Sequence, residues 1–300
     1  METNANAGIT NVSRLSFKIG IGGMVVAPQA CLFEDTPYFS CMFSYPRQLG
    51  AQFMGMLRIA GQIVFLFQDI ARCLVHYKLR WGLISRQLEF IGAKSVPVVI
   101  ITGGFIGAVF AAQCEFQFKV LGMSTAVGPV VAVAMCRELG PVLCALMIAG
   151  RVGSAMAAEL ATMKITEQID ALRSLAVYPT EYLIVPRFIA MLISMPILVG
   201  LAILCGIGSG YYVAVHILDV PGVYYWNNTI KYTHAKDVWI GVVKGFFFGL
   251  IIILVGCNKG LTSAQGAEGV GLATTEAVVD SFIIVLIANF FFTFLLNTIL

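Results

Sequence analysis

Charge is what this chain has least of. Asp, Glu, Lys and Arg make up 12% of its 300 residues, about half the roughly 25% carried by soluble domains. That leaves too little to solvate a globule of this size, which excludes a soluble fold. The net charge of +3 is dispersed, with no block of Lys or Arg, so a nucleic-acid surface is excluded too. No Gly-Lys dipeptide occurs, so there is no Walker A loop and the chain cannot hydrolyse ATP by that route on its own. His76, His216 and His234 fall at no metal-ligand spacing, and the eight cysteines form no C-x-x-C. Several cysteines lie in apolar runs, where Cys packs as a small hydrophobe. The glycine-rich stretch Gly266–Gly271 lacks the preceding strand that a dinucleotide site requires. These gaps predict a chain with no catalytic, cofactor or metal site of its own.

Apolar runs take the place of charge. A membrane-crossing helix needs about 20 predominantly apolar residues. Ser95–Cys114 is twenty residues without a charge, closed by Glu115. Phe188–Val215 is twenty-eight, and Ser281–Leu300 is twenty. Val238–Asn258 is interrupted only by Lys244, and Leu121–Gly150 only by the pair Arg137-Glu138. The sequence thus predicts an all-α integral membrane protein with spans at about 95–114, 121–150, 188–215, 238–258 and 281–300. In Gln48–Tyr77, Phe53, Met56, Ile59, Ile63 and Leu66 recur near helical spacing, with Arg58, Gln62 and Gln68 elsewhere. That segment reads as an amphipathic helix lying in the interface, with a sixth span as the alternative. Residues 1–45 read as a poorly defined tail. Arg14, Lys18 and Ile19–Ala27 faintly resemble a signal peptide, but the apolar stretch is only nine residues long.

Lys and Arg then orient the chain. Alternate sides of the five spans carry at least thirteen against three, which predicts a cytoplasmic N-terminus. Two features stand out against that frame. An intramembrane charge costs about 2.5–3.5 kcal/mol on insertion scales, so Arg137, Glu138 and Lys244 should face a partner, a bundle interior or a watery path. Adjacent residues on a helix point about 100° apart, so Arg137 and Glu138 should meet different partners. They are read either as lining a substrate path, Arg137 holding a phosphate in its fork, or as a buried brace between spans. The second feature follows span two. Small residues at Gly150, Ser154 and Ala158, and at Gly153 and Ala157, allow another helix to approach closely. Beyond them the segment Glu159–Leu172 turns polar and predicts a short cytoplasmic helix. Thr166 is its expected cap, and Glu167 and Asp170 favour its N-terminal end. Met163, Ile165, Ile169 and Leu172 form an apolar side, for docking to another protein or for resting on the chain's own bundle.

Arg137-Glu-Leu-Gly-Pro141, Ala149-Gly-Arg-Val-Gly-Ser-Ala155, Ala158-Glu-Leu160, Thr162-Met163 and Glu167-Gln-Ile-Asp-Ala-Leu172 closely resemble the MlaE-type permeases. Pro186-Arg187, Gly266–Gly271 and Ala273-Thr-Thr275 continue the match, which runs from about Leu79 to the C-terminus. These permeases are the membrane subunits of ABC systems that move phospholipid between membranes, including the plant chloroplast counterpart. The resemblance implies a permease domain over 46–300 that forms a homodimer, with an interfacial helix at 48–77, five spans and a coupling helix at about 159–172. Its partners would be a cytoplasmic ABC ATPase carrying ATP and Mg, and an MCE-domain substrate-binding protein. The membrane would be a bacterial inner membrane or, alternatively, a chloroplast inner envelope. The lipid path would run past Arg137, Glu138, Lys244 and Asn289. Asn289 stands where relatives often carry Asp, which puts a proton or ion-pair role there in doubt. Glu159, Met163, Glu167, Gln168, Asp170 and Leu172 would couple to the ATPase. An ion-coupled carrier or channel using the membrane charges is the competing reading, though a carrier has no need of a cytoplasmic docking helix.

Overall fold

Small residues decide where the helices meet. In the computed structural model, which describes residues 20–21, 24–25, 61–74 and 80–299, the chain divides into Met1–Ala60 and Gly61–Leu300. Within the first unit, β1 (Gly20–Ile21) pairs antiparallel with β2 (Met24–Val25). The rest of the expected tail, and residues 48–60 and 75–77 of the expected interfacial helix, lie outside the described residues.

The second unit is all-α. Its elements are α1 (residues 61–74), α2 (Trp81–Ile91), α3 (Val96–Val120), α4 (Val127–Ala134), α5 (Gly140–Ile148), α6 (Ser154–Ile165), α7 (Gln168–Ser174), α8 (Val185–His216), α9 (Gly222–Tyr232), α10 (Ala235–Thr262) and α11 (Ala267–Ile299). Wide π-type turns at Met135–Leu139 and Ala149–Gly153 join α4, α5 and α6 into one rod. Among the described residues, five helical stretches are long and apolar enough to cross a membrane: Trp81–Val120, Val127–Ile165, Thr180–His216, Ala235–Thr262 and Ala267–Leu296. They outrun the charge-free segments because a helix ends where its backbone bonding ends, and charged turns can continue it into the headgroup layer. Arg86, Glu89, Lys94 and Lys119 all fall inside the first stretch.

The most extensive packing between helices is that of α3 on α8. Val99, Gly103, Gly107 and Ala111 form a buried stripe on α3 at four-residue spacing, and Ala202, Gly206, Gly210 and Ala214 form its counterpart on α8. A side chain on Gly103 would meet the Ala202 carbonyl at 2.9 Å, and one on Gly107 would run into the backbone of Gly206. Lipid tails are as apolar as leucine, so spans associate through such close packing rather than through the hydrophobic effect. Gly153 and Ala157 do the same on α10: Gly256 sits against Gly153, and Gly260 against Ala157 and Leu160. A side chain at Gly150 would meet nothing within 4 Å. Residues 61–74 turn Ile63, Leu66, Ile70 and Cys73 toward the bundle, with Ile70 and Cys73 in its core.

The end of the second rod differs from expectation. The predicted helix 159–172 is broken: α6 runs to Ile165, Thr166 closes it as C-cap rather than opening a new helix, and α7 starts at Gln168. The break sits at Glu167, whose φ of 56° is left-handed and interrupts the helical hydrogen bonds. The Thr166 hydroxyl donates backward to the Thr162 carbonyl at 2.8 Å instead of capping forward.

Candidate functional site

Pro141 has no N–H to return to the carbonyl four residues earlier, that of Arg137. The chain answers with the π-type turn Met135–Leu139, closed by the Gly140 N–H bonding to the Met135 carbonyl. Such turns place side chains where a regular helix would not. The carbonyl of Arg137 is taken up from outside the helix: Lys244 Nζ on α10 donates to it at 2.9 Å.

Lys244 is 1% exposed, and each of its three N–H bonds has an acceptor. The second goes to Glu138 Oε1 at 2.7 Å and the third to Thr293 Oγ1 at 2.8 Å. The Thr293 hydroxyl lies 2.9 Å from Glu138 Oε1, and Asn289 Nδ2 donates to Glu138 Oε2 at 2.9 Å. Asn289 and Thr293 are one helical turn apart on α11, so both reach the same carboxylate. The cluster is charge-balanced, one carboxylate against one ammonium, with neutral groups filling the remaining valences. Burial of the ion pair is tolerable for that reason.

Arg137 takes a different partner. Its Nε and Nη2 both approach Asp237 Oδ1 at 2.6 Å, and Asp237 is 3% exposed. Asp237 Oδ2 accepts from the backbone N–H of His234 at 2.9 Å, in a reciprocal capping box that opens α10. Arg137 and Glu138 nevertheless keep about a third of their side-chain surface. Both border an open groove of about 570 Å³, lined also by Pro129, Val130, Val133, Ala134 and Tyr232. Pro129, Val133 and Arg137 follow one row of the rod, and Val130, Ala134 and Glu138 the next. Each row changes from apolar to charged over two turns, so the groove suits an amphiphile better than a small ion. Arg137 lies ten residues from the start of α4, about 15 Å along the rod, and its guanidinium reaches the first turn of α10 at Asp237.

Sequence reasoning singled out Arg137, Glu138, Lys244 and Asn289. The fold joins the last three directly and places Arg137 beside them. It missed Asp237 and Thr293. The pattern His-x-x-Asp at 234–237, a helix-start signature, was the available signal for Asp237; only the four-residue step from Asn289 pointed to Thr293.

The residues expected at the coupling helix lie at the opposite end of the bundle. Glu159 pairs with the buried Arg187 at 2.7 Å, binding α6 to the start of α8. Glu167, Gln168 and Asp170 are exposed, with Asp170 bonded to Arg173 at 3.0 Å. Met163 and Leu172 are packed against the chain's own core and Ile169 is buried in it, so the apolar side rests on the bundle. Burying it there satisfies α7, which is too short to stand alone. Leu175 and Tyr178, just beyond α7, are exposed. No group of three or more His, Cys, Asp or Glu that could hold a metal occurs among the described residues.

A polytopic bundle with a charged cluster held inside it, opening on an apolar groove, is a membrane permease in plan. Residues 84–295 match the family Permease MlaE, and the chain belongs to that family. A probable ABC transporter permease protein of Rickettsia conorii is 41% identical over 252 residues, 84% of this chain and 97% of the relative. A probable ABC transporter permease protein of Synechocystis is 42% identical over 210 residues, 70% of this chain and 80% of the relative. The chloroplastic protein TRIGALACTOSYLDIACYLGLYCEROL 1 of Arabidopsis thaliana is 36% identical over 232 residues, 77% of this chain and 64% of the relative.

Proposed function

We propose that this chain is the membrane subunit of an ATP-driven transporter that moves phospholipid between membranes. The observation that carries the reading is the groove, whose rows pass from apolar at Pro129 and Val130 to charged at Arg137 and Glu138. Acyl carbons suit the first part and a phosphate headgroup the second, with the guanidinium of Arg137 as the forked phosphate ligand. A relative named for a galactolipid adds weight to a lipid cargo.

In this reading the chain works as a homodimer with its N-terminus and α7 in the cytoplasm. An ABC ATPase, which binds the ATP and Mg, docks against the exposed Glu167, Gln168 and Asp170 of α7. Leu175 and Tyr178 add apolar contact, and the Glu159–Arg187 pair passes movement from α6 to α8. An MCE-domain protein takes the opposite side. The permease domain is assigned to 46–300. The relatives in Rickettsia and Synechocystis favour a bacterial inner membrane; the chloroplastic one keeps an inner envelope as the other setting.

Two measurements test it. The chain should co-purify with an ATPase subunit, and labelled phospholipid should move between defined inner and outer membranes only when ATP is hydrolysed. Arg137→Lys keeps a charge facing Asp237 but loses the fork, so transfer per folded dimer should fall while dimer yield holds. Ion flux from the chain alone, with no ATPase bound, would replace this reading with an ion-coupled carrier.

A further inference from the structure

Helix α9 carries two apolar stripes, and its own bundle covers only one. Tyr225 and Thr229 are buried against α4, where Gly128 lets them approach: a side chain at Gly128 would meet the Tyr225 carbonyl at 2.9 Å. Val223, Trp226 and Ile230, spaced three and four residues apart, form a second stripe on which every member is exposed. At about 100° per residue this stripe lies next to the buried one, and Asn227 and Lys231 take the remaining side. A helix with only water around it has no use for an exposed stripe bearing Trp and Ile. A helix whose sides meet protein, acyl chain and water in turn has a use for all three.

The surroundings fix the occupant. Exposed aromatics with a polar edge gather at this end of the bundle: Tyr212 on α8, Tyr224, Trp226 and Tyr232 on α9, and Trp239 on α10. Purely apolar rings such as Phe105, Phe246, Phe290 and Phe291 are exposed along the spans instead. Such sorting marks the boundary between headgroups and hydrocarbon. Ile217, just past the end of α8, and Val238, at the start of α10, are exposed as well. Lys231 and Lys236 lie at the same level and suit anionic headgroups.

We infer that α9 is a monotopic helix seated in the headgroup layer, with Val223, Trp226 and Ile230 turned into the acyl boundary. Tyr232, the last residue of α9, lines the groove that holds Arg137 and Glu138. The groove therefore opens sideways at headgroup depth, to the leaflet at the α9 end, and lipid would reach it from that leaflet. This last step rests on the lipid reading above; the seat of α9 does not.

The chain has three tryptophans, Trp81, Trp226 and Trp239, so Trp81→Phe with Trp239→Phe isolates Trp226 in the full chain. Both removed side chains are exposed, which leaves the packing intact. The protein is placed in nanodiscs of phosphatidylcholine and phosphatidylglycerol brominated at a shallow or a deep acyl position. The emission of Trp226 should be quenched more by shallow than by deep bromines, giving a depth of about 5–10 Å at the headgroup boundary, with little quenching by aqueous iodide. Iodide quenching without bromolipid quenching, or protection from both by a second copy or another protein, overturns the seat. As a second measurement, Gly128→Val should push α9 off α4 and change that depth; an unchanged profile also counts against the inference. Correct depth together with no lipid transfer by the native chain would sink the lipid reading and leave the seat of α9 standing.

Discussion

Lys244 and Lys259 lie on the same helix fifteen residues apart, and both are buried, yet their company differs. Lys259 meets Asp280 at 2.7 Å and Glu276 at 2.9 Å, two carboxylates one turn apart on α11, the next helix in the chain. Regular helices supply every member, and no groove residue takes part. Lys244 instead joins α10 to a π-type turn more than a hundred residues earlier and to the far part of α11. Its single carboxylate, Glu138, also faces the groove. The same side chain on the same helix thus closes a helical hairpin at one end and, at the other, holds a charge at the border of the groove. Burial of a charge does not by itself mark function. What separates the two is a distorted backbone beside a groove.

The comparison is broken most directly at Lys244. Lys244→Met strands the Glu138 carboxylate and the Arg137 carbonyl together, and losing one partner of a buried pair commonly costs about 3–5 kcal/mol. Thermal unfolding in nanodiscs should show that loss, and lipid transfer per folded dimer should collapse. Adding Glu138→Gln should restore much of the stability without restoring transfer. Lys259→Met should destabilise by a similar amount, about 3–5 kcal/mol, because it strands the nearly buried Asp280 beside Glu276. Here transfer per folded dimer should be unchanged. A transfer defect in Lys259→Met as deep as that in Lys244→Met would erase the distinction between brace and site.

Asn289→Asp sharpens the contrast at smaller cost. Asn289 donates to Glu138 at 2.9 Å, and Asp would set a second carboxylate against the first. The cluster would come to resemble the one at Lys259, two acids on one ammonium, but without the geometry that seats both there. Losing the bond and adding repulsion should cost about 1–3 kcal/mol, read as a lower unfolding temperature at neutral pH. Recovery at acid pH, where one carboxyl binds a proton, is the companion result. If Asn289→Asp is as stable as the parent at neutral pH, Glu138 does not depend on a neutral donor.

These pairings also mark how far the sequence could be read. Five apolar runs were visible because a bilayer demands them, and Arg137, Glu138 and Lys244 were visible because a bilayer penalises charge. Which charge meets which was not, since Glu138 and Thr293 lie 155 residues apart and no local pattern says which spans are neighbours. The stripe Gly103, Gly107, Ala111 could have paired with any other small-residue stripe. Asp237 went unnoticed because it stands just outside the apolar run that begins at Val238. The break at Glu167 was hidden for another reason. A left-handed glutamate runs against residue preference, so neither propensity nor capping rules would put a corner there.

That corner sets the last and smallest test, at the end of the molecule away from the groove. Glu167 holds φ at 56° and exposes its carboxylate, so its backbone and its charge can be altered separately. Glu167→Gly keeps the corner and removes its steric cost, about 1–2 kcal/mol for a non-glycine residue in the left-handed region. The bundle should be slightly more stable and α7 should keep its position. Glu167→Lys leaves the corner strained and reverses the charge. If the proposed ATPase contact depends on that carboxylate, both variants should weaken ATPase association, and Glu167→Lys should do so more. If only the corner matters, Glu167→Gly should bind as the parent does. Full association and normal lipid-stimulated hydrolysis in Glu167→Lys would remove Glu167 from the coupling surface, leaving Gln168, Asp170 and the exposed Leu175 and Tyr178 to form it.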